Sequence, residues 1–260
     1  MTELNVDHLV VSRGSRRVLH DISLKVQNLE RVAIIGPNGA GKTTLMRAIL
    51  GLIRADSGSI TLDDTPTWRL NPLRRAEMVA WLPQQALVDE PITALEFVQA
   101  ARYRFREAHR VARDAAVLAL SRVGADGWAR RPITGLSGGE QQRVALAALF
   151  AQEASLLLAD EPANHLDPAQ QMSVWRLLGQ ATSTCSVIVI THDINLVPLL
   201  GDSSRTRVVA LNQGRIEFDL FANDSSLAGR MSKLFGIAMQ VYETSGHRVI
   251  VPTAKPGSAT

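Results

Sequence analysis

Apolar and polar positions alternate near the start of the chain and later fuse into solid apolar runs. Leu9-Val10-Val11 and Ile22-Ser23-Leu24-Lys25-Val26 are short β-rich segments, the second with the period-two pattern of a half-buried strand. Arg31-Val32-Ala33-Ile34-Ile35, Leu156-Leu157-Leu158-Ala159 and Val187-Ile188-Val189-Ile190 are nearly unbroken, as strands buried on both faces of a sheet are. Helical stretches lie between them. Leu45-Met46-Arg47-Ala48-Ile49-Leu50 ends at Gly51, which suits a helix C-cap. Helices are also expected over about 139–152 and 168–180. The span 94–123 is rich in Ala, Leu, Arg and Glu with no internal Pro, and predicts a helical insertion. Strands alternating with helices in this way predict an α/β fold with a mostly parallel, helix-flanked sheet.

The last third adds a hairpin, Val208-Val209-Ala210-Leu211 and Arg215-Ile216-Glu217-Phe218, turned at Asn212-Gln213-Gly214. A short helix near 226–235 and a final strand pair ending at Pro252 follow. These divisions predict an α/β core that begins over 1–86 with an antiparallel β subdomain, a helical subdomain over 87–135, and the rest of the core over 136–218. A C-terminal helix and strand pair over 219–254 and a disordered tail over 255–260 complete the expected layout.

Composition narrows the function classes. The chain is 46% hydrophobic and 20% charged, with a formal net charge of +3, too small a surplus to argue for a nucleic-acid partner. Its one cysteine, Cys185, excludes an internal disulfide framework and, next to an apolar run, reads as a buried structural thiol. The start Met1-Thr2-Glu3-Leu4-Asn5 has no signal-peptide pattern, and no apolar stretch approaches the ~18 residues of a membrane span. A cytoplasmic protein is expected, reaching a membrane only through a partner.

Three segments carry chemistry. Gly36-Pro37-Asn38-Gly39-Ala40-Gly41-Lys42-Thr43, followed by Thr44, matches G-x-x-x-x-G-K-[ST] between a buried strand and a helix. Glycines let successive backbone N–H groups converge on phosphate oxygens, and the helix that follows adds its amides and dipole. Lys42 supplies a charge to the β- and γ-phosphates, and the Thr43 hydroxyl suits Mg²⁺. The strand 156–159 runs into Asp160 and Glu161; beside such a loop Asp160 is the expected metal partner and Glu161 the residue that polarises a water. Leu136-Ser137-Gly138-Gly139-Glu140-Gln141 opens a second helix with free amides and a hydroxyl, a second phosphate-binding end. Two such ends are one too many for a nucleotide held within one subunit.

With these motifs in this order the chain resembles the nucleotide-binding (ATPase) subunit of ABC transporters, over nearly its whole length. The resemblance implies a P-loop core of ABC type with an antiparallel β subdomain and an inserted helical subdomain, ATP and Mg²⁺ as ligands, and a homodimer formed on ATP binding. It implies that Ser137, Gly138 and Gly139 close over ATP held by the partner's loop. By the same resemblance Gln84, in Trp81-Leu82-Pro83-Gln84, contacts Mg²⁺ and the attacking water. Asp167, in Asn164-His165-Leu166-Asp167, crosses the dimer interface, and His192 stands beside the γ-phosphate. Arg13 occupies the position of the usual adenine-stacking aromatic and offers its guanidinium plane instead, with Val18 covering the other edge. Leu29 replaces a common Gly, with Asn28 expected to take the left-handed conformation in its place. Ala163 replaces a common Thr, and Ala148 a common Arg.

One cassette without a charged linker, coiled coil or cysteine cluster argues against ABC proteins of ribosomes and DNA repair, and for a separate transporter subunit. Ile92-Thr93-Ala94-Leu95-Glu96-Phe97-Val98, Ala101-Arg102-Tyr103 and the tail from Leu234 resemble cassettes of iron-siderophore, haem and cobalamin importers. That implies transmembrane permease subunits, indirectly a substrate-binding protein, and a place on the inner face of the plasma membrane. An exporter cassette is the remaining transporter alternative. The arginines at 102, 104, 106, 110 and 113 are expected on a solvated helix face, the alternative being a face toward a membrane partner or anionic lipid.

Overall fold

The computed structural model describes residues 2–84, 91–164, 166–244 and 247–253. The alternating N-terminal segments become β1 (Leu4–Arg13) and β2 (Arg16–Val26), which pair antiparallel. The unbroken runs become β3 (Arg31–Ile35), β7 (Leu156–Asp160) and β8 (Ser186–Ile190). β4 (Ser57–Leu62) and β5 (Thr65–Pro66) join the first pair in a four-stranded antiparallel sheet ordered β2-β1-β4-β5. β6 (Val79–Leu82), β9 (Thr206–Asn212) and β10 (Arg215–Phe221) complete a six-stranded sheet ordered β10-β9-β3-β8-β7-β6. It is parallel except for the β9–β10 hairpin. β11 (Ala238–Thr244) and β12 (His247–Thr253) pair separately. The helices are α1 (Lys42–Ile49), α2 (Pro72–Met78), α3 (Ala94–Ala100), α4 (His109–Arg122), α5 (Gly138–Ala151), α6 (Pro168–Ala181) and α7 (Leu227–Phe235). The fold is therefore the expected α/β one.

Strand periodicity explains the two cores. Successive side chains point to opposite faces, so Val32 and Ile34 enter one cluster with Leu156, Leu158, Ile188 and Ile190. Ala33 and Ile35 enter the other with Leu157, Ala159, Val187 and Val189. The first cluster packs against α1 and the antiparallel sheet, the second against α5 and α6. Both faces of the inner strands are covered, which is why their sequences show no alternation. Cys185 is buried beside this sheet, and burial pushes its thiol pKa up, as an inert thiol requires.

Three expectations are corrected. The insertion is not one continuous helical face: the chain turns after α3 and starts again at α4. Arg102, in that turn, is buried rather than solvated. Its guanidinium pairs with Glu107 and Glu153 and donates to Ala151 O at 2.9 Å, while Arg104 donates to Gln152 O at 3.0 Å and Glu153 O at 3.1 Å. These contacts satisfy carbonyls at the C-terminus of α5, where orphan acceptors and the helix dipole favour cations. Arg106, Arg110 and Arg113 are exposed as expected. Finally, Leu29 itself takes the left-handed conformation, at φ 60, and Asn28 does not. Leu29 is exposed, so its side chain meets little in that turn. The tail 255–260 lies outside the described residues.

Candidate active site

Because β3, β6, β7 and β8 run parallel, their C-terminal ends share one edge of the sheet, the edge where ligands meet open α/β sheets. The segments leaving that edge carry the phosphate loop, Gln84, the Asp160–Glu161 pair and His192. Residues far apart in sequence converge there.

The phosphate loop is shaped by close backbone approaches. Gly36 sits at φ 145, and a Cβ there would come within 2.0 Å of the Leu211 carbonyl oxygen of β9. Gly41 sits at φ 103, and a Cβ there would lie 2.6 Å from the Leu19 side chain of β2. Only glycine fits either position. The β9–β10 turn supports the loop from outside: Gly214 N–H donates to Ala40 O at 3.0 Å, and Gly214 O accepts from His20 N–H at 2.7 Å. Gly41 is the N-cap of α1, and no side chain caps that end. Lys42 is buried, donates through Nζ to Gly36 O at 2.7 Å and Pro37 O at 3.0 Å, and has its pKa lowered by that burial.

Thr43 Oγ1 donates to Asp160 Oδ2 at 2.8 Å, joining the start of α1 to the end of β7. Asp160 is buried, and desolvation raises its pKa against the Thr43 hydrogen bond that favours the charged form. A hydroxyl and a carboxylate side by side are hard oxygen donors of the kind Mg²⁺ takes alongside phosphates and water. Among the described residues no cluster of three or more Asp, Glu, His or Cys could hold a metal on its own.

Glu161 follows at φ 50, an uncommon conformation for a residue with a side chain. Its amide continues the β7–β8 ladder, donating to Ile190 O at 3.1 Å. Its carboxylate collects three side chains: Gln84 Nε2 at 2.8 Å and Asn164 Nδ2 at 2.9 Å donate to Oε2, and His192 Nε2 lies 2.5 Å from Oε1. The turn after it is held by Gln142 of α5, whose Nε2 donates to Pro162 O at 2.9 Å. Glu161 forms a wall between a cleft of about 940 Å³ over the phosphate loop and a small pocket of about 130 Å³ lined by Asn164 and His192. Strain at a residue so tightly partnered is sustained by the surrounding structure.

The large cleft is lined by 37–44, Gln84 and Glu161, and also by Arg13 and Val18. Ser137, Gly138, Gly139 and Asp167 lie outside it. The end of α5 also differs from expectation. Ser137 and Glu140 form a capping box, Glu140 Oε2 accepting from Ser137 N–H at 2.8 Å and Ser137 Oγ from Glu140 N–H at 3.4 Å. The hydroxyl is thus engaged, and the open groups are the glycine amides. Asp167 is the N-cap of α6, accepting from Gln170 N–H at 2.9 Å.

Sequence reasoning missed Asn164 as a partner of Glu161, although its position three residues on, across Pro162, was a turn signal. It also missed Arg16, Arg17, His20, Asn212 and Gln213 along the cleft. No local pattern marks those: they arrive through the β1–β2 and β9–β10 hairpins.

Residues 19–164 match the family model described as ABC transporter. The hemin import ATP-binding protein HmuV of Rhodococcus jostii RHA1 is 35% identical over 254 residues, spanning 96% of this chain and 86% of that protein. The zinc import ATP-binding protein ZnuC of Pseudomonas syringae pv. syringae B728a is 39% identical over 214 residues, spanning 81% of this chain and 73% of its own length. Among solved structures, the dimeric post-hydrolysis state of the ATP-binding cassette MJ0796 bound to ADP and Pi superposes with a TM-score of 0.76 at 27% identity. That match covers 85% of this chain and 99% of the other. A family match over more than half of the chain, extended to almost its full length by the hemin-import relative, shows that this protein belongs to the ABC transporter family, as an ATP-binding and ATP-hydrolysing cassette.

Proposed function

We propose that the chain is the ATP-hydrolysing subunit of an importer for haem or a related metal chelate. It works as a homodimer beneath transmembrane permease subunits on the inner face of the plasma membrane. A substrate-binding protein delivers the cargo to the permease. The observation that carries the catalytic part is the triple hold on Glu161 beside a phosphate loop. What supports import is that the hemin and zinc relatives are import ATP-binding proteins, and the longer span of the hemin match favours the chelate over the free ion.

In this reading the backbone of 36–44 and Lys42 bind the β- and γ-phosphates, while Arg13 stacks on adenine and Val18 covers its edge. Thr43 and Asp160 would hold Mg²⁺, joined by Gln84, whose Nε2 is committed to Glu161. When bound, the ion neutralises charge on the phosphates. Glu161 accepts the proton of a water whose oxygen bonds to the γ-phosphorus as the bond to the bridging oxygen of ADP breaks. His192, Gln84 and Asn164 orient that carboxylate. Ser137, Gly138 and Gly139 face the ATP of the partner subunit, and Asp167 lies at the shared interface. ATP bridges the closed dimer and ADP does not, so closure and hydrolysis alternate.

Glu161→Gln tests the reading. It removes the base and preserves the shape, so turnover falls by about 10²–10⁴-fold while ATP binding persists, and ATP-bound dimer accumulates on size-exclusion chromatography. Near-normal hydrolysis by this variant removes Glu161 from its role. Co-purification with a ribosome and without a membrane partner would overturn the transport assignment.

A further inference from the structure

His192 has little packing of its own: its side chain is 45% exposed. Its position therefore depends on how the backbone is held on either side. Upstream, Thr191 N–H donates to Ile34 O of β3 at 3.1 Å, and Thr191 Oγ1 accepts from Asp193 N–H at 3.0 Å. Downstream, the chain enters the 3₁₀ helix Ile194–Leu200, whose N-cap Asp193 accepts from Asn195 N–H at 2.9 Å.

The Asn195 side chain makes the tie that the sequence does not announce. Its Nδ2 donates to Ile250 O at 3.1 Å, and its Oδ1 accepts from Ile250 N–H at 2.8 Å. One carboxamide thus meets both main-chain groups of a residue in β12, as a neighbouring strand would. The Ile250 side chain is buried in the same core cluster as Ile194 and Val197. β12 is itself anchored, through Arg248, whose guanidinium donates to Asn223 O at 3.2 Å and Asp224 O at 2.8 Å. The 3₁₀ helix also meets α6 very closely, since a Cβ on Gly179 would lie 2.6 Å from Leu199 O. The segment behind His192 is therefore held between α6 and the C-terminal strand pair.

We propose that Asn195 is a positioning residue for hydrolysis: by fastening the segment behind His192 to β12, it keeps the imidazole against Glu161. The C-terminal strand pair then belongs to the working site, although none of its described residues lines the nucleotide cleft. The inference rests on the roles given to Glu161 and His192 under the proposed function.

The test is a double-mutant cycle on the purified full chain, following steady-state ATP hydrolysis. Asn195→Ala lowers kcat about tenfold and leaves KM for ATP within about twofold, because it disturbs orientation and not nucleotide binding. In a His192→Ala background the same change causes no further loss, since the group it positions is gone. Should Asn195→Ala fail to fold, the isosteric Asn195→Asp, which keeps the acceptor for Ile250 N–H and loses the donor, enters the same cycle. Wild-type kcat in the single variant, or an equal fold-loss in both backgrounds, overturns the inference while leaving His192 in place. Wild-type turnover by His192→Ala alone overturns the role of His192 and this inference with it.

Discussion

The N-termini of α1 and α5 are both introduced by glycine-rich segments, and both carry a basic or hydroxyl side chain that suits an anion. They differ in what is left open. At α1 the cap is Gly41, no side chain occupies the end, and the loop before it is folded back so that its amides and Lys42 share one cleft with Glu161. At α5 the capping box of Ser137 and Glu140 uses the serine hydroxyl and two N–H groups, and the end lies outside that cleft. The first end, with its amides and Lys42 in one cleft, suits a phosphate held within one chain. The second is a stable helix start with glycine amides exposed, suited to meet a ligand brought from elsewhere. Gly139 also sits against Leu166 and Gln170, so the end of α5 is placed by the start of α6 and not by the phosphate loop.

This contrast can be broken by experiment. The largest effect is expected from Lys42→Ala, which removes the buried cation of the α1 end: ATP affinity of the isolated chain, followed with a fluorescent analogue, falls by about a hundredfold or more, in keeping with the loss of a charge-assisted contact to phosphate. Gly138→Val should behave oppositely, because beyond its chain neighbours and its own helix backbone no atom lies within 4 Å of a Cβ there, so the chain should still fold. Binding to the isolated chain stays near wild type, and ATP-dependent dimerisation falls about tenfold or more by analytical ultracentrifugation. Equal loss of monomer binding in both variants would erase the distinction between the two ends.

A smaller effect concerns pH. Burial raises the Asp160 pKa in the folded chain above its unfolded value, so the native state binds that proton more tightly. Stability from this group is present at low pH and is lost as pH rises from the ordinary carboxylate range through the raised value. Asp160→Asn removes the loss and keeps an acceptor for Thr43. Its Tm should exceed wild type at pH 7.5, and the advantage should fade in acid; a Tm below wild type at pH 7.5 would contradict the desolvation account. The smallest change is Ser137→Ala, which deletes one half of the capping box and costs about 1 kcal/mol, or roughly 2–4 °C in thermal unfolding. A much larger fall in dimerisation than in stability would mean that the hydroxyl leaves the cap to meet ATP.

The phosphate loop was legible because its chemistry is local. Gly36, Gly41, Lys42 and Thr43 lie within eight residues, and their spacing matches a phosphate-binding loop. Asp160 and Glu161 were legible by position, at the end of an apolar run. The Glu161 partners were less so: Gln84 and His192 came from resemblance, and Asn164 was noted only as the start of the segment that ends in Asp167. The arginines after α3 misled, since Arg102 and Arg104 look like surface charges in any helical reading. Their placement depends on carbonyls at the end of α5, 48–49 residues further on, which accept their hydrogen bonds.

The sequence by itself therefore determined the α/β class, the inner strands and the phosphate-binding turn, because periodicity and glycine chemistry act over a few residues. Only the tertiary structure decided that Gln84 and His192 reach Glu161 from distant segments, and that β12 reaches Asn195 in the helix behind His192. Those arrangements are hydrogen bonds between chain segments tens of residues apart, and parallel strand order brings the segments together at one edge of the sheet. No local pattern encodes which distant carbonyl or carboxylate a polar side chain will find.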